Sequence, residues 1–306
     1  MAKKDTDTLG DRMKSYEELS TSRMLMPNTP VYARIDGRAF HTLCRGLKKP
    51  YSEEFIETMQ ETCKHLVKES GAILGYVQSD EISLGWEDST KAPFMGRIQK
   101  LESVLASMAS ARFVQVVYER NMNSDVKSEL YQRVIAHLPT FDCRIFNVPS
   151  LAELANCFLW RENDAIKNSI TGMALSFYSH SQIQGKSGNE KILMMAEKGY
   201  NFYKDTSPSF MRGTFFHREL YKKKLSSIEV ERIPESKRAG QLEVEIIRHP
   251  DTEEIEETNY YAVRSRIAPM ALPWRLTDTL EVQKVLFNGE QPWCNKESPT
   301  FTIATF

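Results

Sequence analysis

The sequence predicts an α+β chain: a ferredoxin-like antiparallel sheet with its helices on one face, followed by a C-terminal α/β extension. Three observations predict it. Two short apolar runs, Val31 to Asp36 and Ile73 to Trp86, read as strands, and the second is broken at its centre by Gln78-Ser79-Asp80-Glu81, where a hairpin turn falls. Two longer stretches repeat apolar residues at helical spacing. Valine- and aromatic-rich runs follow the second of them. The order is therefore strand, helix, two hairpin strands, helix, strand, and a β-α-β-β-α-β unit of this kind closes as such a sheet.

Each element follows from its residues. Asp11 to Met26 predicts a helix that Pro27-Asn28-Thr29-Pro30 ends, because a residue before proline disfavours the helical region. Val31 to Asp36 is the first strand. Ser52 suits an N-cap, and Glu53 and Glu54 suit the positive end of the helix dipole. Phe55, Met59, Cys63, Leu66 and Val67 then form one buried face, and Gly71 stops the helix. After the Asp80 hairpin, Phe94 to Arg112 predicts a helix with Leu101, Val104, Leu105 and Met108 inward. Phe113 to Tyr118 and Phe141 to Pro149 predict strands, and Ser150 to Ser169 a helix. Further on, Gln184 to Asn189 reads as a loop, the charged segment Ser226 to Glu257 as a hairpin, and Pro269 to Phe306 as irregular. A catalytic domain over residues 1–170 and an extension over 171–306 are expected.

Composition bounds the context. Forty basic against 41 acidic side chains give a formal net charge of −1, so nucleic-acid binding requires local patches. Five scattered cysteines without CxxC spacing argue against zinc and a disulfide framework and fit a reducing cytoplasm. Neither a membrane-spanning apolar stretch nor a signal peptide is read, so a soluble cytoplasmic protein is expected.

The chemistry centres on Asp36 and Asp80, two acids at neighbouring sheet edges, with Glu81 beside the second. An aspartate after a strand often only caps a turn. Three clustered carboxylates repel one another without a cation, however, and Mg²⁺ takes few protein oxygens while leaving room for phosphates. Gly37 offers backbone that an ion or phosphate can approach. Lys48 and Lys49 precede the first core helix, and Arg97 and Lys100 share a face of the second; they read as solvated surface unless they converge on the acids. Arg144 suits an ion pair with Asp142 as well as a phosphate, and His41 a structural role as well as a catalytic one. Gly185-Lys186-Ser187 lacks the preceding glycine of a phosphate-binding P-loop.

Arg34-Ile35-Asp36-Gly37-Arg38 with Phe40-His41, then Lys49-Pro50 and Gln78-Ser79-Asp80-Glu81, resemble the core of the tRNA-His guanylyltransferases and their guanylyltransferase-like relatives. Phe94 to Ser107, Phe141-Asp142-Cys143-Arg144 and Trp160-Arg161-Glu162-Asn163-Asp164 fit the same family in the same order, over roughly residues 5 to 220. The resemblance implies a polymerase-like palm that adds nucleotides to the 5′ end of tRNA, opposite in direction to ordinary polymerases. It implies two Mg²⁺ ions on Asp36, the Gly37 carbonyl and Asp80, with Glu81 assisting. It also implies nucleotide or phosphate contacts from Arg34, Gly37, Arg38, Ala39, Phe40, His41, Lys49, Ser79, Arg97, Lys100 and Arg144. ATP and GTP or another NTP would be substrates, tRNA or a tRNA-like RNA the partner, and a homo-oligomer, with a tetramer favoured, the assembly.

One departure bears on substrate. Enzymes specific for tRNA-His carry His-Ile-Asn-Asn where this chain has Ile166-Lys167-Asn168-Ser169. The expectation is template-directed repair of truncated 5′ ends after activation with ATP or GTP. Addition of a 5′ G to tRNA-His is the alternative. A cyclase or forward polymerase on the same palm, and a non-catalytic RNA-binding protein that keeps it, are the rivals.

Overall fold

The computed structural model describes residues 8–248, 255–270 and 279–287, and the chain falls into two compact units. The first unit spans Met1–Phe216 and Pro269–Phe306, the second His217–Ala268. No described helix is long and apolar enough to cross a membrane. The helix Leu151–Ala174 runs unbroken through residue 170, where the sequence suggested a domain boundary.

In the first unit, helix α1 (Thr8–Thr21) leads to β1 (Val31–Gly37), the short helix α2 (Phe40–Leu43) and helix α3 (Glu53–Ser70). Strands β2 (Leu74–Gln78) and β3 (Glu81–Trp86) form the expected hairpin. Helix α4 (Ile98–Asn121), α5 (Glu129–Ala136), β4 (Phe141–Asn147) and α6 (Leu151–Ala174) follow. The strands lie in the order β4-β1-β3-β2, all neighbours antiparallel. α3 and α4 pack together under one face, while α6 covers β1 and β2 from the other. Four short helices, α7 (His180–Ile183), α8 (Gly188–Glu197), α9 (Phe202–Asp205) and α10 (Pro208–Arg212), bury Met195, Phe202 and Met211 with Ile170 and Met173 of α6. α13 (Thr279–Phe287) adds Val282, Val285 and Leu286 to the cluster of Leu154 and Phe158. Strand β5 (Thr214–Lys224) begins here beside β2.

The second unit contains the rest of β5, helices α11 (Ser227–Glu231) and α12 (Glu235–Gln241), strand β6 (Glu243–Arg248), and strand β7 (Ile255–Met270) as far as Ala268, ordered β5-β7-β6. Leu225, Val230, Leu242 and Ala262 form its small core.

The caps of α3 are those expected: the Ser52 hydroxyl accepts from the Phe55 amide, and Gly71 takes φ 69°. Other boundaries differ for identifiable reasons. Phe113 to Tyr118 is not a strand but the last turns of α4. Phe113, Val116 and Val117 continue the buried i, i+3, i+4 stripe of Leu101, Leu105 and Ala109, so burial outweighs their β propensity. The fourth strand of the unit is Phe141–Asn147. α4 starts at Ile98 rather than at Phe94, because Phe94 and Met95 adopt left-handed φ of 58° and 55°. α1 ends at Thr21, before the proline signal. Between Ser226 and Glu257 two short helices precede the paired strands, and the tail beyond Pro269 includes the helix α13. Residue 294, the fifth cysteine, and the end of the tail lie outside the described residues.

Candidate active site at the end of the sheet

Strand register sorts the face covered by α6 into rows. Asp36 stands opposite Glu81 on β3 and Asp142 on β4; two residues down, Arg34 stands opposite Ser83 and Arg144; two further, Tyr32 stands opposite Gly85 and Phe146. Cross-strand partners share a face, so an acidic row at the sheet end is followed by a basic row and then an apolar one. The two-residue turn Ser79-Asp80 closes the hairpin beside the acidic row. Ser79 holds φ 48°, and the Asp80 carbonyl accepts from the Gly37 amide at 3.0 Å. The backbones carrying the two aspartates are thereby tied.

Asp80 is half-buried, and its carboxyl is pushed above the ordinary aspartate range, first by burial and further by the like charge of Asp36; its own backbone amide, the Ser79 hydroxyl and His41 partly offset this. Among the described residues neither aspartate forms an ion pair with lysine or arginine. An acidic pair without a compensating cation fits Mg²⁺, which uses one or two carboxylates and keeps water or phosphate in its other positions. No group of three or more His, Cys, Asp and Glu side chains converges on one point among the described residues. The fit therefore rests on two acids and backbone.

Glu81, unlike the two aspartates, is paired with arginine. It is 8% exposed at its side chain, receives Arg161 Nε at 2.6 Å, and has Arg34 Nε 3.9 Å from its other oxygen. Its carboxyl is still raised by burial, with Arg161 and Arg34 working against the rise. Arg161 also reaches Asp164 at 3.0 Å, and its neighbour Glu162 accepts from Arg212 Nε at 2.8 Å. Both guanidinium groups of Arg34 and Arg161 lie over the ring of Trp160, at 5.7 and 4.6 Å from its centroid.

The tRNAHis guanylyltransferase family model matches residues 10–149. A bacterial tRNA(His) guanylyltransferase-like protein solved in complex with ATP is 38% identical, with a TM-score of 0.59 over 69% of this chain and 88% of that one. The chain belongs to this family. A second bacterial guanylyltransferase-like structure, in complex with GTP, is 29% identical with a TM-score of 0.63, covering 92% of this chain and 100% of that one. The tRNA(His) guanylyltransferase of Debaryomyces hansenii is 27% identical over 222 residues, which is 68% of this chain and 80% of that one.

Set against the family's motifs, the structure gathers some expected residues and separates others. Asp36, Gly37, Ser79 and Asp80 meet at one sheet end, with Arg38, Ala39 and His41 exposed on the adjoining turn. Lys49 belongs to the same neighbourhood, since the charges of Asp80 and Lys49 both act on Cys44, whose thiol burial chiefly pushes up to about 11. Phe40 is core rather than surface: it is fully enclosed with Phe55, Phe113 and Phe141. Gly37 is glycine because a Cβ there would lie 2.6 Å from the Phe40 ring.

Arg97 and Lys100 do not converge on the acids. Arg97 bridges Met24, and Met26 bonds to Asn147, which stands opposite Val31 at the far end of β1. Ser110, which accepts from the Phe141 amide beside Gly37, is roughly 20 Å further along the axis of α4 at ~1.5 Å per residue. Lys100 rests over the Phe94 ring instead. Arg144 lies on the exposed edge strand, 3.5 Å from Asp142.

The residues without an assigned role in the sequence reading are Trp160, Arg161 and Glu162. A signal for the last two was present. They fall at i+7 and i+8 from Leu154 on the stripe continued by Ala165 and Ser169, so the buried face of α6 carries two charges that require partners.

Proposed function

We propose that this chain is a Mg²⁺-dependent 3′–5′ nucleotidyltransferase that adds nucleotides to the 5′ end of tRNA or a tRNA-like RNA, repairing truncated ends by copying the opposing strand. The observation that carries this reading is the unneutralised pair Asp36 and Asp80 at one sheet end, in a chain of the guanylyltransferase family. The sheet order and the helices beneath it support a polymerase-like palm.

Asp36 and Asp80, with the Gly37 backbone, would hold the metal; when bound, Mg²⁺ neutralises phosphate charge and favours the deprotonated attacking oxygen. Lys49, on the same side as Asp80, balances triphosphate charge. Arg34 and Arg144, directly opposite each other across β1 and β4, face phosphate along the RNA. Glu81 and Arg161 fix Arg34 and the helix α6 against the sheet. In the first step an oxygen of the RNA 5′-monophosphate attacks the α-phosphorus of ATP or GTP, forming a 5′–5′ phosphoanhydride and releasing pyrophosphate. In the second, the 3′-hydroxyl of the incoming NTP attacks the RNA phosphorus, AMP or GMP leaves, and the hydroxyl proton is lost to solvent. An RNA that already carries a 5′-triphosphate skips the first step.

Template direction is supported by the segment that replaces His-Ile-Asn-Asn. Ile166 packs on the apolar cluster of α6 and α10, and the Ser169 hydroxyl donates to the Ile166 and Met211 carbonyls. The Asn168 amide donates to Asp164 at 3.3 Å, which leaves exposed Lys167, a side chain that meets phosphate but reads bases poorly. Substrate choice then falls to pairing with the 3′ strand, in a homo-oligomer acting in the cytoplasm.

The deciding experiment offers 5′-truncated tRNAs with varied anticodons and opposing bases, each with all four NTPs, and sequences the products. Incorporation should follow the opposing base whatever the anticodon. Strict demand for the His anticodon, with untemplated G added to full-length tRNA, would replace this reading with the tRNA-His one.

A further inference from the structure

Trp160 is an unusual surface residue. Its indole is 54% exposed on the residue before the buried Arg161, and it sits under the guanidinium groups of Arg34 and Arg161. Arg161 is locked by Glu81 and Asp164, and Arg34 is held by its strand and by Glu81. A bare tryptophan costs little extra order on binding when its neighbours already fix it. Next to it the edge strand β4 exposes Arg144, and in the following row Phe146, 44% exposed and 5.5 Å from the Tyr32 ring. Arg34 is two strand residues from Asp36 on the same face, about 7 Å at ~3.3 Å per residue. Exposed aromatics interleaved with arginines, beginning one nucleotide's reach from the acids, are what single-stranded nucleic acid uses: bases stack on rings and phosphates meet guanidinium groups.

We propose that Trp160, with Phe146, Arg34 and Arg144, is the platform for the unpaired 3′ overhang of the RNA, the strand that faces the shortened 5′ end. The proposal rests on the repair reading above, in which such an overhang is the template. Two cations and two exposed rings spread over β1, the edge strand β4 and helix α6 suit a run of nucleotides better than one free NTP, whose triphosphate has Lys49 near Asp80. Trp160 stacks on a base of the overhang, and Arg34 and Arg144 hold its backbone.

The test is a binding measurement on the full chain with two 5′-monophosphorylated RNA hairpins, one blunt and one with a 3′ overhang of a few nucleotides. A third hairpin has the same overhang without bases. Wild type should bind the overhang roughly five- to hundredfold more tightly than the blunt or abasic RNA. Trp160→Ala should bind all three alike, Trp160→Phe should recover most of the preference, and Trp160→Leu, which keeps apolar bulk, should not. ATP and GTP affinities should match wild type in all three variants. A Trp160→Leu chain that still prefers the overhang overturns the proposal. So does a loss of NTP affinity in step with RNA affinity, which would give the ring to the mononucleotide. If Trp160→Ala melts early, the Phe and Leu variants carry the comparison. Failure of the repair reading is seen separately, as absence of NTP incorporation by wild type, whatever the binding shows.

Discussion

Arg161→Met should reveal how much of this site depends on one buried ion pair. Arg161 and Glu81 are 9% and 8% exposed at their side chains and meet at 2.6 Å, so water screens them little. Methionine fills much of the volume but leaves Glu81 buried, with Arg34 at 3.9 Å as its remaining cation. Removing one partner of a buried pair typically costs about 3–5 kcal/mol, because the other charge stays desolvated. At roughly 2–4 °C per kcal/mol, Tm should fall by about 6–20 °C at pH 8. The sign of the pH dependence follows from Glu81, whose folded carboxyl is already raised by burial and rises further without Arg161. A group raised in the folded state contributes stability at low pH and loses it as pH rises through its folded pKa. The deficit of Arg161→Met should therefore shrink on acidification from pH 8 towards pH 5, as Glu81 takes up its proton. Replacing both residues, as Arg161→Met with Glu81→Leu, should cost less than Arg161→Met alone. Thermal melts at the two pH values decide it. A deficit below about 1 kcal/mol at pH 8, or one that widens on acidification, would refute the reasoning.

Asp36→Ala and Asp80→Asn should each abolish activation and addition, yet leave the metal-free Tm unchanged or higher, since each relieves like-charge repulsion; appreciable turnover at saturating Mg²⁺ would remove the metal assignment. Wild type should gain Tm on adding Mg²⁺ and both variants should not, which differential scanning fluorimetry reads without any RNA. Lys49→Ala should weaken NTP-dependent steps about ten- to hundredfold while sparing RNA affinity; the reverse pattern, in filter binding and steady-state kinetics, would displace Lys49 from the triphosphate. Gly37→Ala should lose about 1–3 kcal/mol in denaturant melts, because its methyl meets the enclosed Phe40 ring at 2.6 Å, and a neutral result would mean that α2 shifts freely.

Much of the fold was legible because it follows from local rules. The Ser52 cap, the Gly71 stop and the polar break at Gln78 to Glu81 each fixed a boundary without tertiary help. Where local and tertiary preferences disagree, the sequence misleads. Phe113 to Tyr118 has β-favouring residues, but they also complete the helical stripe of α4, and burial of that stripe decides. The acids were legible because each marks a break in an apolar run: Asp36 ends the first beside Gly37, and Asp80 lies in the polar turn between the two hairpin strands. Arg97 and Lys100 were not, because their position depends on which end of the sheet α4 starts from, and that is set by the 3₁₀ turns Ser89–Lys91 and Pro93–Gly96 and by bonds to Leu25 and Thr29. Phe40 shares a motif with exposed neighbours, and only its packing with three other rings tells it from them.

The rows on the α6 face explain why like charges are tolerated in register. Asp36 faces Asp142 directly and Arg34 faces Arg144 directly, and like charges opposite one another in a sheet are destabilising. A fold selected for stability alone would stagger the signs. Partial relief comes along the strand, where Arg144 reaches Asp142 at 3.5 Å, and from the Glu81–Arg161 pair beneath. What remains is an acidic row short of cations and a basic row short of anions, side by side. A substrate carrying phosphate together with a divalent ion supplies both deficits at once. The pattern Tyr32, Arg34, Asp36 on β1 and Phe146, Arg144, Asp142 on β4 depends on the two-residue pleat, so a slip of one position would turn every one of these groups to the α3–α4 side. The chemistry is thus written into the register of two strands, and the loops at the sheet end complete it.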